Sequence, residues 1–200
     1  RASHPISKTR FSNAPRPGKS VANFLKTLKM NEEYFDRIYT SGDAALETLR
    51  IKKYGNKFFH IGPPRDFDLF IELKTSKVNN IDESDYLLCT GLFPEHGDNL
   101  DFYNSFLKNY INKKLICTNP DLVVHRGNNQ EYCAGSVAKV FENLGGRVIY
   151  FGKPYPEIYN NCVKGKEKVL AIGDNLNTDI KGANMMNYHC LFILHGIHKN

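Results

Sequence analysis

The alternation of short apolar runs with amphipathic helical patterns constrains this chain more than any other feature. Runs with strand character lie at residues 37–40, 57–61, 86–89, 115–117, 148–151, 169–172 and 190–194. They are short, apolar on both faces and bounded by Gly, Pro or Asn, as buried parallel strands tend to be. Between them, Val21, Phe24, Leu25 and Leu28 follow the i, i+3, i+4, i+7 spacing of a one-sided helix, as do Val137, Val140, Phe141 and Leu144. A further stripe runs from Leu100 through Tyr103, Phe106, Leu107 and Tyr110 to Ile111. This alternation predicts an α/β fold with a largely parallel sheet. In such sheets ligands sit beyond the carboxyl ends of the strands, so the chemistry is sought in the residues that follow each strand.

Composition narrows the function classes. Apolar residues make up 41% and charged residues 24% of the 200, which suits a globular protein rather than a disordered one. The longest apolar runs, Leu191-Phe192-Ile193-Leu194 among them, fall far short of the roughly 20 residues that span a bilayer, so no membrane partner is expected. The five cysteines are scattered and odd in number, which fits neither a disulfide framework nor a zinc site; reduced thiols in a cytoplasmic protein are the plain expectation. The net charge of +6 is spread along the chain without a dense basic run, so a nucleic-acid partner is not expected. The same charge attracts a small anionic substrate.

Three post-strand segments carry the chemistry. In residues 168–179, KVLAIGDNLNTD, an apolar strand ends in Gly173 and Asp174, and Asp179 follows one helical turn later. Asp174 at a strand end suits Mg²⁺, which takes one or two carboxylates together with phosphate and water oxygens, while Asp179 supports it from behind. Thr178 is positioned to cap a helix starting near Asp179. The plain alternative is a Gly-Asp-Asn turn with an acid in a first helical turn. In residues 148–159, VIYFGKPYPEIY, Lys153 presents a compact positive charge to a phosphate, or is a solvated turn lysine. In residues 11–17, FSNAPRP, Ser12 and Asn13 offer an anion site at a helix start, or simple N-caps.

Taken in order, a Ser/Asn turn, a Lys after Gly, and Gly-Asp with a downstream Asp resemble the second, third and fourth motifs of the haloacid dehalogenase-like hydrolases. FSNAPRP, YTSGDA, CTNPD, YCAG, FGKPYPEIY and IGDNLNTD resemble subfamily IIA, the C2-capped phosphatases related to the bacterial NagD type. The likeness extends over most of the chain from Phe11 onward. It implies a Rossmann-like parallel-sheet core, incomplete at the N-terminus, with an inserted α/β cap: core at 1–53, cap at 54–147, core again at 148–200. It also implies a Mg²⁺-dependent phosphatase acting on a small phosphorylated substrate through an aspartyl-phosphate. On that resemblance Ser12, Lys153 and Asp179 are catalytic, and Ser12, Asn13 and Lys153 bind phosphate. Asp174 and Asn175 serve the metal, and Asn119 and Asp121 are cap-borne candidates for substrate contact. A homodimer is compatible with the resemblance.

The family's first motif, an Asp-x-Asp after an apolar strand, belongs before Ser12. Residues 1–11 contain no aspartate, and Ser7-Lys8-Thr9-Arg10 reads poorly as a buried strand. Two expectations follow: a piece of a longer enzyme, or a non-catalytic homologue that binds a phospholigand. Either way the 200-residue chain is expected to lack turnover. Ser41 and Asp43 suit a helix N-cap and first turn. His125 and Cys133 fall in the expected cap, Glu95, His96 and Asp98 in a solvated loop, and His195 and His198 in a loop after the last strand.

Overall fold

The computed structural model describes residues 6–126, 129–163 and 167–194. Eleven strands alternate with helices among them: β1 (Thr9–Ser12), α1 (Gly18–Thr27), β2 (Arg37–Thr40), α2 (Ser41–Arg50), β3 (Phe58–Ile61), β4 (Lys77–Val78), β5 (Tyr86–Cys89), α3 (Leu100–Leu107), β6 (Lys114–Cys117), β7 (Val123–Arg126), β8 (Asn129–Tyr132), α4 (Ala134–Asn143), β9 (Arg147–Tyr150), α5 (Pro156–Asn160), β10 (Leu170–Gly173), α6 (Lys181–Met185) and β11 (His189–Phe192). The fold is the α/β architecture that the alternation predicts.

A five-stranded all-parallel sheet in the order β4-β3-β5-β6-β9 forms the centre. Its side chains alternate between two layers, as strand periodicity demands. Phe58, Tyr86, Leu88 and Ile116 face a core built with Ala45, Leu46 and Leu49 of α2 and Ile158 of α5. Ile61, Leu87, Cys89, Leu115 and Cys117 face Tyr103 and Leu107 of α3 and Val137, Ala138 and Phe141 of α4. Both faces are therefore covered, which is what an all-parallel sheet requires. The expected domain boundary between 147 and 148 falls within β9, which pairs with β6 residue for residue.

Two smaller parallel pairs, β1 with β2 and β10 with β11, complete the α/β framework, and β7 with β8 makes an antiparallel hairpin. Residues 7–10 form no buried strand, as their composition predicts, but Thr9–Ser12 is a half-buried strand held by its ladder to β2. The α1 stripe is also only partly realised. Leu25 is buried, but Phe24 and Leu28 stay 61% and 57% exposed. α2 is capped by Thr40 rather than Ser41; Thr40 and Asp43 form a reciprocal capping box that satisfies two otherwise orphaned N–H groups.

Candidate active site

The carboxyl ends of four strands deliver one cleft. Ser12 ends β1 and Asn13 follows it; Asp121 lies beyond β6, Lys153 beyond β9, and Asp174 immediately beyond β10. With Arg10, Phe11, Asn175, Thr178 and Asp179 they line a hollow of about 220 Å³. A second hollow of about 230 Å³, between α1 and β2, contains none of the motif residues.

Asn13 joins the segments. Its Oδ1 accepts the Lys153 N–H at 2.7 Å, and its Nδ2 donates to Asp121 Oδ1 at 2.9 Å and to the Lys153 carbonyl at 3.0 Å. The Lys153 N–H can only donate, so the orientation of the Asn13 amide is fixed by its surroundings. Gly152 makes this approach possible. Its φ is +120°, and a Cβ there falls 2.8 Å from Asn13 Oδ1 and 2.7 Å from Pro120 Cδ.

Lys153 Nζ reaches Asp179 Oδ1 at 2.6 Å, with the two side chains 18% and 14% exposed. The other oxygen, Oδ2, accepts the Asn175 N–H at 3.2 Å. Asp179 thus holds the lysine in place and is itself held. Gly173 lets it in: a Cβ at that position lies 2.2 Å from Asp179 Cβ and 2.5 Å from its Oδ2.

Burial raises the Asp121 carboxyl above the usual range, while the Asn13 hydrogen bond and the Lys153 charge oppose the rise and Asp179 adds to it. The hydroxyl of Ser12 accepts the Ala14 N–H at 3.3 Å. The helix expected to start beside Ser12 starts at Gly18 instead, with Pro17 before it, so neither Ser12 nor Asn13 is its cap.

The remaining candidates separate. Asn119 does not line the cleft; its Oδ1 accepts the Asp121 N–H at 3.1 Å and shapes the turn that brings Asp121 in. Asn175 does line it, but its side-chain oxygen accepts the Asn177 N–H at 2.9 Å. It thereby caps the π-helical turn Leu176–Ile180, the role expected of Thr178, which lies inside that turn. Ser41 is buried away from the cleft and donates to the Ala14 and Thr118 carbonyls. The side chain of His125 and all of His195 and His198 lie outside the described residues. Arg10 and Thr178 are lining residues that motif reading missed. Arg10 shares a strand face with Ser12 through the period of two, a relation that becomes visible only once β1 is known to be a strand.

The lining carries Arg10 and Lys153 against Asp121, Asp174 and Asp179, an excess of one carboxylate when all are ionised. A phosphate dianion entering alone meets that excess, whereas a divalent cation reverses it. Among the described residues no cluster of three or more His, Cys, Asp or Glu forms a cage for a metal. Mg²⁺ does not need one, since a single carboxylate with phosphate and water oxygens suffices. Asp174, at the strand end, fits that role.

The fold has counterparts among known proteins. The family described as HAD-hydrolase-like matches residues 150–200. A haloacid dehalogenase-like hydrolase from Brucella suis is similar at 31% identity over 96% of this chain and 77% of its own, with a TM-score of 0.86. A thermostable NPPase double mutant from Geobacillus stearothermophilus shares the fold at 24% identity, covering 91% and 74% of the two chains with a TM-score of 0.69. The glycerol phosphate phosphatase of Mycobacterium tuberculosis, solved in complex with magnesium, shares it at 23% identity over 95% and 59%, with a TM-score of 0.71. Among curated proteins none matches the chain.

Proposed function

This chain belongs to the haloacid dehalogenase-like family of hydrolases, and on that footing we propose that it serves Mg²⁺-dependent hydrolysis of a small phosphorylated metabolite. The observation that carries the proposal is the convergence of Asn13 with Lys153, 140 residues away, and of Lys153 with Asp179, with Ser12 and Asp174 in the same cleft. A phosphoryl group is recognised by charge and donors rather than by shape, and this cleft concentrates both.

In the proposed reaction the Lys153 ammonium binds the transferring phosphoryl group and offsets the charge that builds on it. Asp179 keeps that ammonium aimed, and the Ser12 hydroxyl donates a further hydrogen bond. Asn13 acts by positioning, since its amide fixes the Lys153 backbone against β1. Asp174 is the carboxylate proposed to hold Mg²⁺, which supplies positive charge to the phosphoryl oxygens when bound. Asp121, with its raised carboxyl, is proposed to contact the leaving group's side of the cleft.

The attacking group is proposed to be an aspartate forming an aspartyl-phosphate, with a second aspartate two residues later as acid and base. Neither belongs to residues 1–11, which hold no aspartate, so a segment outside these 200 residues is proposed to supply both. Two features support this. Among the described residues, β1 pairs only with β2 and β10 only with β11. Side chains from β1 and from the end of β10 line the same cleft, leaving two parallel edges beside it. Residues 54–150 are proposed as the cap over the site, taking in the whole of β9. Among the described residues no helix is long and apolar enough to cross a membrane, and a cytoplasmic, dimeric enzyme is proposed.

A second reading, consistent with residues 1–11 holding no aspartate, is a non-catalytic phospholigand-binding homologue. One experiment separates the two: extend the chain upstream to the start of its reading frame and measure phosphate release with Mg²⁺. The enzymatic reading expects turnover that Lys153→Ala abolishes. An extended protein that binds phosphate but releases none from any ester leaves the binder.

A further inference from the structure

We propose that the amino end of the five-stranded sheet is a docking surface for an anionic bilayer, at the opposite end of the strands from the cleft. The proposal does not depend on the phosphoester reading. All five strands are parallel, so every one of them starts at this end. The register sets the starts in one row: Lys77 and Tyr86 flank Phe58, and Lys114 and then Arg147 continue beyond Tyr86. The segments that feed the strands therefore gather at one end of the sheet. Residues 51–57, 77–85, 108–114 and 144–147 make up that end, and they hold eight Lys or Arg against three Asp or Glu. The cations are scattered in sequence, and parallel pairing brings them together.

This excess is not neutralised internally. Among the described residues, none of the eight cations lies within ion-pair distance of a carboxylate. Of the three acids, Asp85 accepts the N–H groups of Asn56 at 2.7 Å and Lys57 at 2.9 Å. The segments are tied to one another. Lys53 and Lys114 lie 5.7 and 5.9 Å from the ring of half-buried Tyr54, which links residues 51–57 to the start of β6. Lys113 donates to the carbonyls of Asp82 and Ser84, which links β6 to the turn before β5. Two large apolar side chains stand in the same segments: Ile51 is 73% exposed and Ile111 is 42% exposed. Lys52-Lys53 follow the first, and Lys113-Lys114 come soon after the second. Positive charge alone suits any polyanion. Exposed isoleucines among lysines favour a lipid surface, where the charges meet anionic headgroups and the apolar tips enter the acyl boundary. Among the described residues no helix is long and apolar enough to cross a membrane, and a surface contact needs none. Docking at this end leaves the cleft, beyond the other ends of the strands, open to solvent.

The test is co-sedimentation of the 200-residue chain with phosphatidylcholine vesicles, with and without about 30% phosphatidylserine, at about 0.1 M salt. The expected result is saturable binding to the anionic vesicles, about tenfold or more tighter than to pure phosphatidylcholine, that weakens as salt rises. Each basic residue near an anionic surface contributes about fivefold, so Lys53→Glu/Arg147→Glu, which reverses two charges, should weaken binding by more than about a hundredfold. Ile51→Ser should weaken it about tenfold and keep the salt dependence. Lys153→Met, at the far end of the strands, should bind as the parent does. Equal binding to both kinds of vesicle, or none to the anionic ones, overturns the proposal with the parent protein alone, whatever the variants do. Undiminished binding by a Lys53→Glu/Arg147→Glu protein that circular dichroism shows to be folded overturns it as well. Single-stranded RNA bound more tightly than the vesicles, with an affinity that Ile51→Ser leaves unchanged, assigns the surface to nucleic acid and overturns the bilayer.

Discussion

Replacing Asn13 by Asp changes one nitrogen to oxygen and tests the junction of the cleft without altering its volume. Asn13 is 8% exposed and uses Nδ2 for two donated bonds, to Asp121 Oδ1 and to the Lys153 carbonyl. Asn13→Asp turns both contacts into oxygen facing oxygen at about the same separation. Losing one ordinary bond and one to a carboxylate costs about 2–4 kcal/mol. Two carboxylates about 4 Å apart add roughly 4 kcal/mol of repulsion at an effective dielectric near 20. The second contribution is relieved when one of the pair takes a proton, so the folded-state pKa of the pair is raised. The sign follows: the repulsive penalty is absent at low pH and grows as pH rises. Burial already holds Asp121 above its usual range in the parent, which favours proton sharing. Urea unfolding followed by far-ultraviolet circular dichroism should show Asn13→Asp destabilised by about 6–8 kcal/mol at pH 8 and by about half that at pH 5. Asn13→Ala, which introduces no charge, should lose about 2–4 kcal/mol with little difference between the two pH values. An Asn13→Asp protein as stable as the parent at pH 8, or one that tracks Asn13→Ala at both pH values, refutes the proposed wiring.

Other outcomes follow from single contacts. Gly173→Ala drives a methyl group into Asp179, and should cost about 2–3 kcal/mol and weaken phosphate affinity more than tenfold, read by unfolding and by titration. The neutral form of His60 is buried against Thr90 Oγ1 at 2.8 Å, and burial, with the nearby Lys77 charge, lowers its pKa from 6.5 to about 4. Because the unfolded chain binds this proton more readily, the stability it contributes is full above pH 6.5 and is lost as pH falls toward 4. Between pH 7 and pH 5 the loss should be about 2 kcal/mol, and His60→Phe should show a correspondingly flatter stability profile over that window. Ser12→Ala removes one donor from the phosphoryl site and should weaken phosphate binding about fivefold by titration, with unfolding stability changed by less than about 1 kcal/mol.

The fold was legible because the central sheet is buried on both faces. Runs such as 86–89 and 115–117 have no solvent side to disguise them, and the structure sets them as β5 and β6. β1 was not legible from residues 7–10, since its stability comes from a ladder to β2, a partner remote in sequence. The α1 stripe misled for the opposite reason. Its spacing is helical, but β2 packs against only part of that face, leaving Phe24 and Leu28 in solvent.

The cleft was legible where strand ends met motifs. Lys153, Asp174 and Asp179 were read from the rule that ligands lie beyond strand ends and Ser12 and Asn13 from an expected helix start, and all five line one hollow. Asp121 obeys the same rule after β6, but reading it as a cap residue hid its bond to Asn13. Asn119 and Asn175 show what sequence spacing cannot separate. Both are amides next to cleft residues, and both spend their side-chain oxygens on backbone N–H groups of turns. The ion pair between Lys153 and Asp179 depends on a missing Cβ at Gly173, a steric fact that no motif spacing expresses.

The most direct test of the central claim is phosphorus NMR of inorganic phosphate titrated with the 200-residue chain and with Lys153→Met, in buffer containing magnesium. The account predicts saturable binding to the parent and its loss in the variant, whose stability should fall by only about 2 kcal/mol as Asp179 loses its cation. Phosphate that ignores the parent chain, or that binds a folded Lys153→Met protein equally well, contradicts it.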